Sequence, residues 1–131
     1  MKKTVLCVIL VLAVLFLAAC GQSVKIGSFS SLIFNADDFD EAVNALIVYF
    51  KNFEGCTLQE VKYAGDAAVR AEAAARGYAP EQIIVLEIAF STDGADHKNG
   101  LEPDHSYENY QFIFVRDVVG GMWDHLDHGY C

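Results

Sequence analysis

Residues 83–92 read IIVLEIAFST, and no other stretch of this 131-residue chain restricts its fold as much. The run is rich in β-branched residues and nearly unbroken in apolar character, which is typical of a strand buried at the centre of a sheet. Ile84, Leu86, Ile88 and Phe90 share one of its faces. A central strand needs partners, and three other stretches have strand character. In CTLQEVKY (56–63), Thr57, Val61 and Tyr63 alternate with Leu58, Glu60 and Lys62. In YENYQFIFVRD (107–117), Tyr110, Phe112 and Phe114 oppose Tyr107, Ile113 and Val115. The last strand runs around Trp123 and Leu126, after a turn at Gly120-Gly121.

Two stretches have helical spacing instead. Phe39, Val43, Leu46, Phe50 and Phe53 recur every three or four residues, and Ala42, Ile47 and Tyr49 widen the stripe. Asp38 and Glu41 form a capping-box-like start, and Gly55 is a natural stop. The alanine-rich DAAVRAEAAAR (66–76) reads as a second helix, capped by Asp66 and ended by Gly77, with Pro80 beyond. The order is helix, strand, helix and three strands, the last two a hairpin. It predicts an α+β domain over 37–131: a curved antiparallel sheet of about four strands, with two helices packed on one face.

The amino terminus carries a different signal. Lys2 and Lys3 precede an uncharged apolar run from Val5 to Ala19, the plan of a secretory signal over 1–19. Such a signal helix is too short to span about 30 Å of hydrocarbon comfortably. The run ends in Leu17-Ala18-Ala19-Cys20, which resembles the lipobox of bacterial lipoproteins. That resemblance implies cleavage before Cys20, lipidation of its sulfur with fatty acids such as palmitate, and anchoring in the cell membrane on its extracytoplasmic side. An uncleaved anchor and an ordinary cleaved signal are the alternatives. A mature chain would have 131 − 19 = 112 residues and a net charge of 7 − 18 = −11. Such a chain repels nucleic acid and anionic lipid, so attachment would rest on acyl chains. Residues 20–36 read as the lipidated cysteine and a tether. Val24, Ile26, Phe29, Leu32, Ile33 and Phe34 nevertheless suit a segment that packs on the domain or at the membrane interface.

Sequence candidates for chemistry cluster in WDHLDH (123–128) and in the 91–106 loop. On a regular strand Trp123, His125 and Asp127 share one face, and Asp124, Leu126 and His128 the other. His125 with Asp127 is therefore a candidate acid-base pair, the carboxylate orienting the imidazole. With His97 and His105 from the loop, the same two residues are candidate metal ligands, although a zinc site needs three or four. The bland alternative is a hairpin strand with solvated polar residues. An EF-hand frame through Gly100 lacks its oxygen ligands, and glycine-rich phosphate loops, nucleophile elbows and Cys-x-x-Cys pairs are absent. No cofactor is expected. Cys56 and Cys131 could form a disulfide closing a loop of 131 − 56 = 75 residues, worth about 4–5 kcal/mol at most in the chain-entropy model.

FKNFEGCTLQEVKY, IIVLEIAF, YENYQFIFVRD and the closing WDHLDHGY together resemble small exported bacterial proteins of unknown function. The resemblance covers about residues 38–130 and implies the cone-shaped α+β roll of cystatin-like and nuclear-transport-factor-like domains. Such rolls include pocketed enzymes such as ketosteroid isomerases, small-ligand binders and domains that only mediate contacts. Three functions follow as expectations. The favoured one is a surface-tethered module that binds a small ligand or an envelope protein. The others are a pocketed enzyme using His125 and Asp127, and a purely structural envelope lipoprotein.

Overall fold

The computed structural model describes residues 23–97 and 100–130. The signal segment, the lipobox with Cys20, and Cys131 lie outside the described residues. The elements are β1 (Lys25–Ile26), α1 (Ala36–Phe50), β2 (Cys56–Tyr63), α2 (Asp66–Arg76), β3 (Ile83–Thr92), β4 (Ser106–Val115) and β5 (Asp124–Gly129). The protein is α+β, with two helices and one open five-stranded sheet in the order β1-β2-β3-β4-β5. β3 is its central strand, as its composition predicts. β1 is the additional strand. It pairs parallel with β2 through Lys25 opposite Glu60 and Ile26 opposite Val61, so the sheet is mixed and not purely antiparallel.

Burial along β3 explains where the helices go. Ile84, Leu86, Ile88 and Phe90 face α1, whose Phe39, Val43, Leu46 and Phe50 are buried on the predicted stripe. Ile83 and Val85 point to the opposite face and are equally buried, as is Ile113 of β4 opposite Val85. That side needs a cover, and α2 supplies it with its buried Val69 and Ala73. The expected placement of both helices on one face is therefore corrected: α1 and α2 lie on opposite faces. Beyond the reach of α2, the second face turns polar. There Glu87, Ala89 and Ser91 are half-buried, and Lys62 stands 3.6 Å from Glu87.

The start of α1 also differs from expectation. Asn35, not Asp38, is the N-cap. Asn35 Oδ1 accepts from the Asp38 amide at 2.8 Å, and Asp38 Oδ2 accepts from the Asn35 amide at 3.1 Å. This reciprocal pair closes the first turn. It leaves Asp38 Oδ1 free to accept from Arg116 Nη1 at 2.7 Å, in a pair with 1% and 10% side-chain exposure. Arg116 Nε donates to the Glu81 carbonyl at 2.9 Å, and its guanidinium lies 4.2 Å from the centroid of the Trp123 ring. Trp123 Nε1 donates to the Asp38 carbonyl at 3.1 Å. The first turn of α1, the approach to β3 and the 116–123 connection therefore meet at one buried polar hub.

Residues 23–35 pack on the domain through Val24, Phe29, Ile33 and Phe34. Phe29 stacks on Phe39 at 4.6 Å and meets the edge of Tyr63 at 5.2 Å. Asp66 has no capping role in α2. Its carboxylate instead accepts from Ser31 Oγ and Tyr63 OH, both at 2.6 Å, and from the Leu32 amide at 2.8 Å. These hydrogen bonds hold its carboxyl below the usual range. At the other end of α2, Gly77 is the left-handed C-cap that the sequence predicts (φ 78°).

Two outcomes follow. Removing one member of a buried ion pair strands the other charge, at a cost of about 3–5 kcal/mol. Arg116→Ala should lose that much stability in urea denaturation. Asp66→Ala should release the 27–34 segment, read as new protease cleavage there while the remaining domain stays resistant.

Candidate functional site

The β2–β3, β3–β4 and β4–β5 pairings are each interrupted once. Gln59 is extra against β3, Glu108 and Asn109 together oppose Ala89, and Leu126 is extra against β4. Asn109 takes a left-handed conformation (φ 55°) to make this possible. Bulges bend and twist a strand and change which residues share a face. On β5 the effect decides the chemistry. His125 sits opposite Phe114, Asp127 opposite Ile113, and His128 opposite Phe112. Both histidines therefore face α1, whereas Asp127 faces α2.

The structure does not bring His125 and Asp127 together as a pair. Asp127 Oδ2 accepts from Arg76 Nη2 at 2.8 Å, and Arg76 Nε also donates to Glu72 at 2.7 Å. The Arg76 hydrogen bond holds the Asp127 carboxyl below its usual range. His125 has His128 as its partner, with Nε2 and Nδ1 2.9 Å apart. Tyr49 of α1 stacks on His125 at 3.9 Å and 7°. Phe112 stacks on His128 at 5.2 Å, with the edge of Phe53 against it at 5.2 Å. One ring donates and the other accepts, which two neutral imidazoles satisfy. Burial pushes both pKa values down, and the neighbouring His128 lowers that of His125 further.

The remaining candidates are dispersed. His97 Nε2 stands 3.2 Å from Asp93, and His105 Nδ1 3.5 Å from Glu102. Among the described residues, no three His, Cys, Asp or Glu side chains converge as metal ligands. Cys56 is half-buried at the start of β2, with Sγ 3.7 Å from the Glu54 carbonyl. Burial, and then Asp93, push its thiol up, which opposes thiolate chemistry. The expected bridge to Cys131 falls outside the described residues.

What sequence reading missed is a groove of about 720 Å³ between α1 and the 116–123 connection. Ala45, Val48 and Tyr49 form one wall, and Met122, Trp123 and His125 the other, with Phe114 beneath. Val48 is 64% exposed and Met122 86% exposed, although both are apolar. Glu41 and Asp124 stand among the lining residues, and no lysine or arginine does. The volume falls within the few hundred to about 1,000 Å³ usual for small-molecule sites. The signal available in the sequence was Val48, an apolar residue off the helical stripe, together with Val118, Val119 and Met122 in a connection. A scan against protein-family models and searches of curated proteins and solved structures return no match.

The histidine pair predicts a pH response with a defined sign. The folded chain binds these protons less readily than the unfolded chain, so stability rises with pH across the interval between the two pKa values. It is complete above the ordinary histidine value of about 6.5 and is lost as pH falls from there through the lowered folded values. Urea denaturation at pH 7.5 and pH 5 should show this loss, and a His125→Gln, His128→Gln variant should lose less over the same interval.

Proposed function

We propose that this chain is an exported lipoprotein, anchored through Cys20 on the extracytoplasmic side of the cell membrane, whose domain is a ligand-binding module. The basic start, the apolar run to Ala19 and Leu17-Ala18-Ala19-Cys20 support the anchor. Lys25 of β1 stands only five positions beyond Cys20, a reach of roughly 17 Å at about 3.3 Å per step. In this reading the β1 edge of the sheet stays close to the bilayer. The domain is in the same reading a variant of the cone-shaped rolls, and α2 on the opposite face is a departure from their helices-on-one-side plan.

The observation that carries the binding reading is the groove. Val48 and Met122 expose apolar surface beside an aromatic floor, an arrangement that gains free energy when an apolar body covers it. A reading as an enzyme built on His125 and Asp127 draws no support from two residues turned to opposite faces. A purely structural lipoprotein would favour a filled surface where the groove lies.

Radiolabelled palmitate should enter the wild-type chain in a bacterial host and be absent from Cys20→Ala, which should leave the membrane fraction. Label retained in the variant contradicts the anchor. The single tryptophan, Trp123, lines the groove and reports its occupancy. Millimolar cyclohexylmethanol should shift its emission in the wild type, and Ala45→Phe, which fills the groove, should abolish the shift. No shift in the wild type contradicts the groove as a binding site.

A further inference from the structure

The charges around the groove restrict its ligand further. Glu41 comes from the first half of α1 and Asp124 from the start of β5, so carboxylates reach the groove from both of its walls. Both are exposed, and among the described residues neither is in an ion pair. The other polar groups on the α1 side are the amides of Asn44 and Asn52 and the hydroxyl of Tyr49, whose oxygens can accept hydrogen bonds. His125 adds no positive charge near neutral pH, because burial lowers its pKa. The interior surface, by contrast, is apolar: Ala45, Val48, Phe114 and Met122 with the rings of Tyr49 and Trp123.

An anion entering this space would face two carboxylates in a chain that is already strongly acidic. A neutral apolar molecule would fill the floor and leave the negative rim unanswered. A carbon body with an ammonium group satisfies both parts, the body over Val48 and Phe114 and the charge toward Glu41 and Asp124.

We infer that the groove selects an organic cation: an amine carried on an apolar body the size of one or two rings. This rests on the groove being the ligand site. Because the rim is exposed, each charge contact contributes modestly, and the preference over an uncharged isostere is on the order of a few-fold to tenfold.

The test uses the full-length chain in phosphatidylcholine vesicles, titrated with three molecules of one skeleton while Trp123 emission is followed. Cyclohexylmethylamine should bind most tightly, cyclohexylmethanol next and cyclohexanecarboxylate least, with about tenfold or more between the ends of the series. The amine's advantage should shrink with added sodium chloride, as exposed charge contacts do. Replacing both rim acids, Glu41→Gln with Asp124→Asn, should remove the order among the three. If amine and alcohol bind alike in the wild type, the cation inference is overturned while the groove remains a binding site. If none of the three binds, both readings are overturned.

Discussion

The ion pair between Asp38 and Arg116 is the contact on which the arrangement of this protein turns. Both oxygens of one carboxylate are committed: Oδ2 closes the capping box of α1, and Oδ1 accepts from a guanidinium 78 residues away. Arg116 in turn holds the Glu81 carbonyl and lies over Trp123, whose indole reaches back to the Asp38 carbonyl. Charges this well buried are tolerated only when their remaining hydrogen-bonding groups are also satisfied. Here that requirement ties three separate parts of the chain to one point. It sets how α1 enters its path across the sheet and lays the 116–123 connection beside α1. The groove is the space left between those two elements. Its shape is therefore a consequence of a polar contact outside the groove itself.

The second constraint is the alternation of side chains along a strand. With a period of two, a single extra residue exchanges the faces of everything beyond it. Leu126 is that residue in β5. It places His125 and His128 together against Tyr49, and sends Asp127 to Arg76 on the far side. The double Asp-His step thus divides into a histidine pair in an aromatic cluster and an ion pair that fastens α2 to the sheet. Each has a structural part: the first lines the groove through His125, and the other holds the second helix.

The sequence announced local structure far better than it announced meetings between distant segments. The continuous apolar run of β3 marked the centre of the sheet, and the Phe39–Phe53 spacing marked α1, because burial writes its period directly into the chain. Gly77 marked the end of α2, because few other residues accept the left-handed conformation. The face that α2 covers was less legible, since an alanine-rich helix has only a faint stripe. The two-residue strand β1 has no periodicity to read. Asp38 resembled an ordinary cap, and its partner Arg116 is visible only once the chain has folded. The Leu126 bulge has no composition signal of its own, and it alone reassigned His125 and Asp127. The groove left only scattered apolar residues as a trace, because its walls come from a helix face and a connection that are far apart in sequence.

The most direct test of this account is amide-type hydrogen exchange at the indole N–H of Trp123, followed as one cross-peak because the chain has a single tryptophan. The account predicts strong protection near neutral pH, since the proton is donated to the Asp38 carbonyl within a buried hub, and loss of that protection in Arg116→Ala under conditions where the sheet stays folded. An indole proton that exchanges in the wild type as fast as one in free tryptophan would contradict it. In that case the 116–123 connection is not docked on α1, and the groove is not a standing feature of the protein.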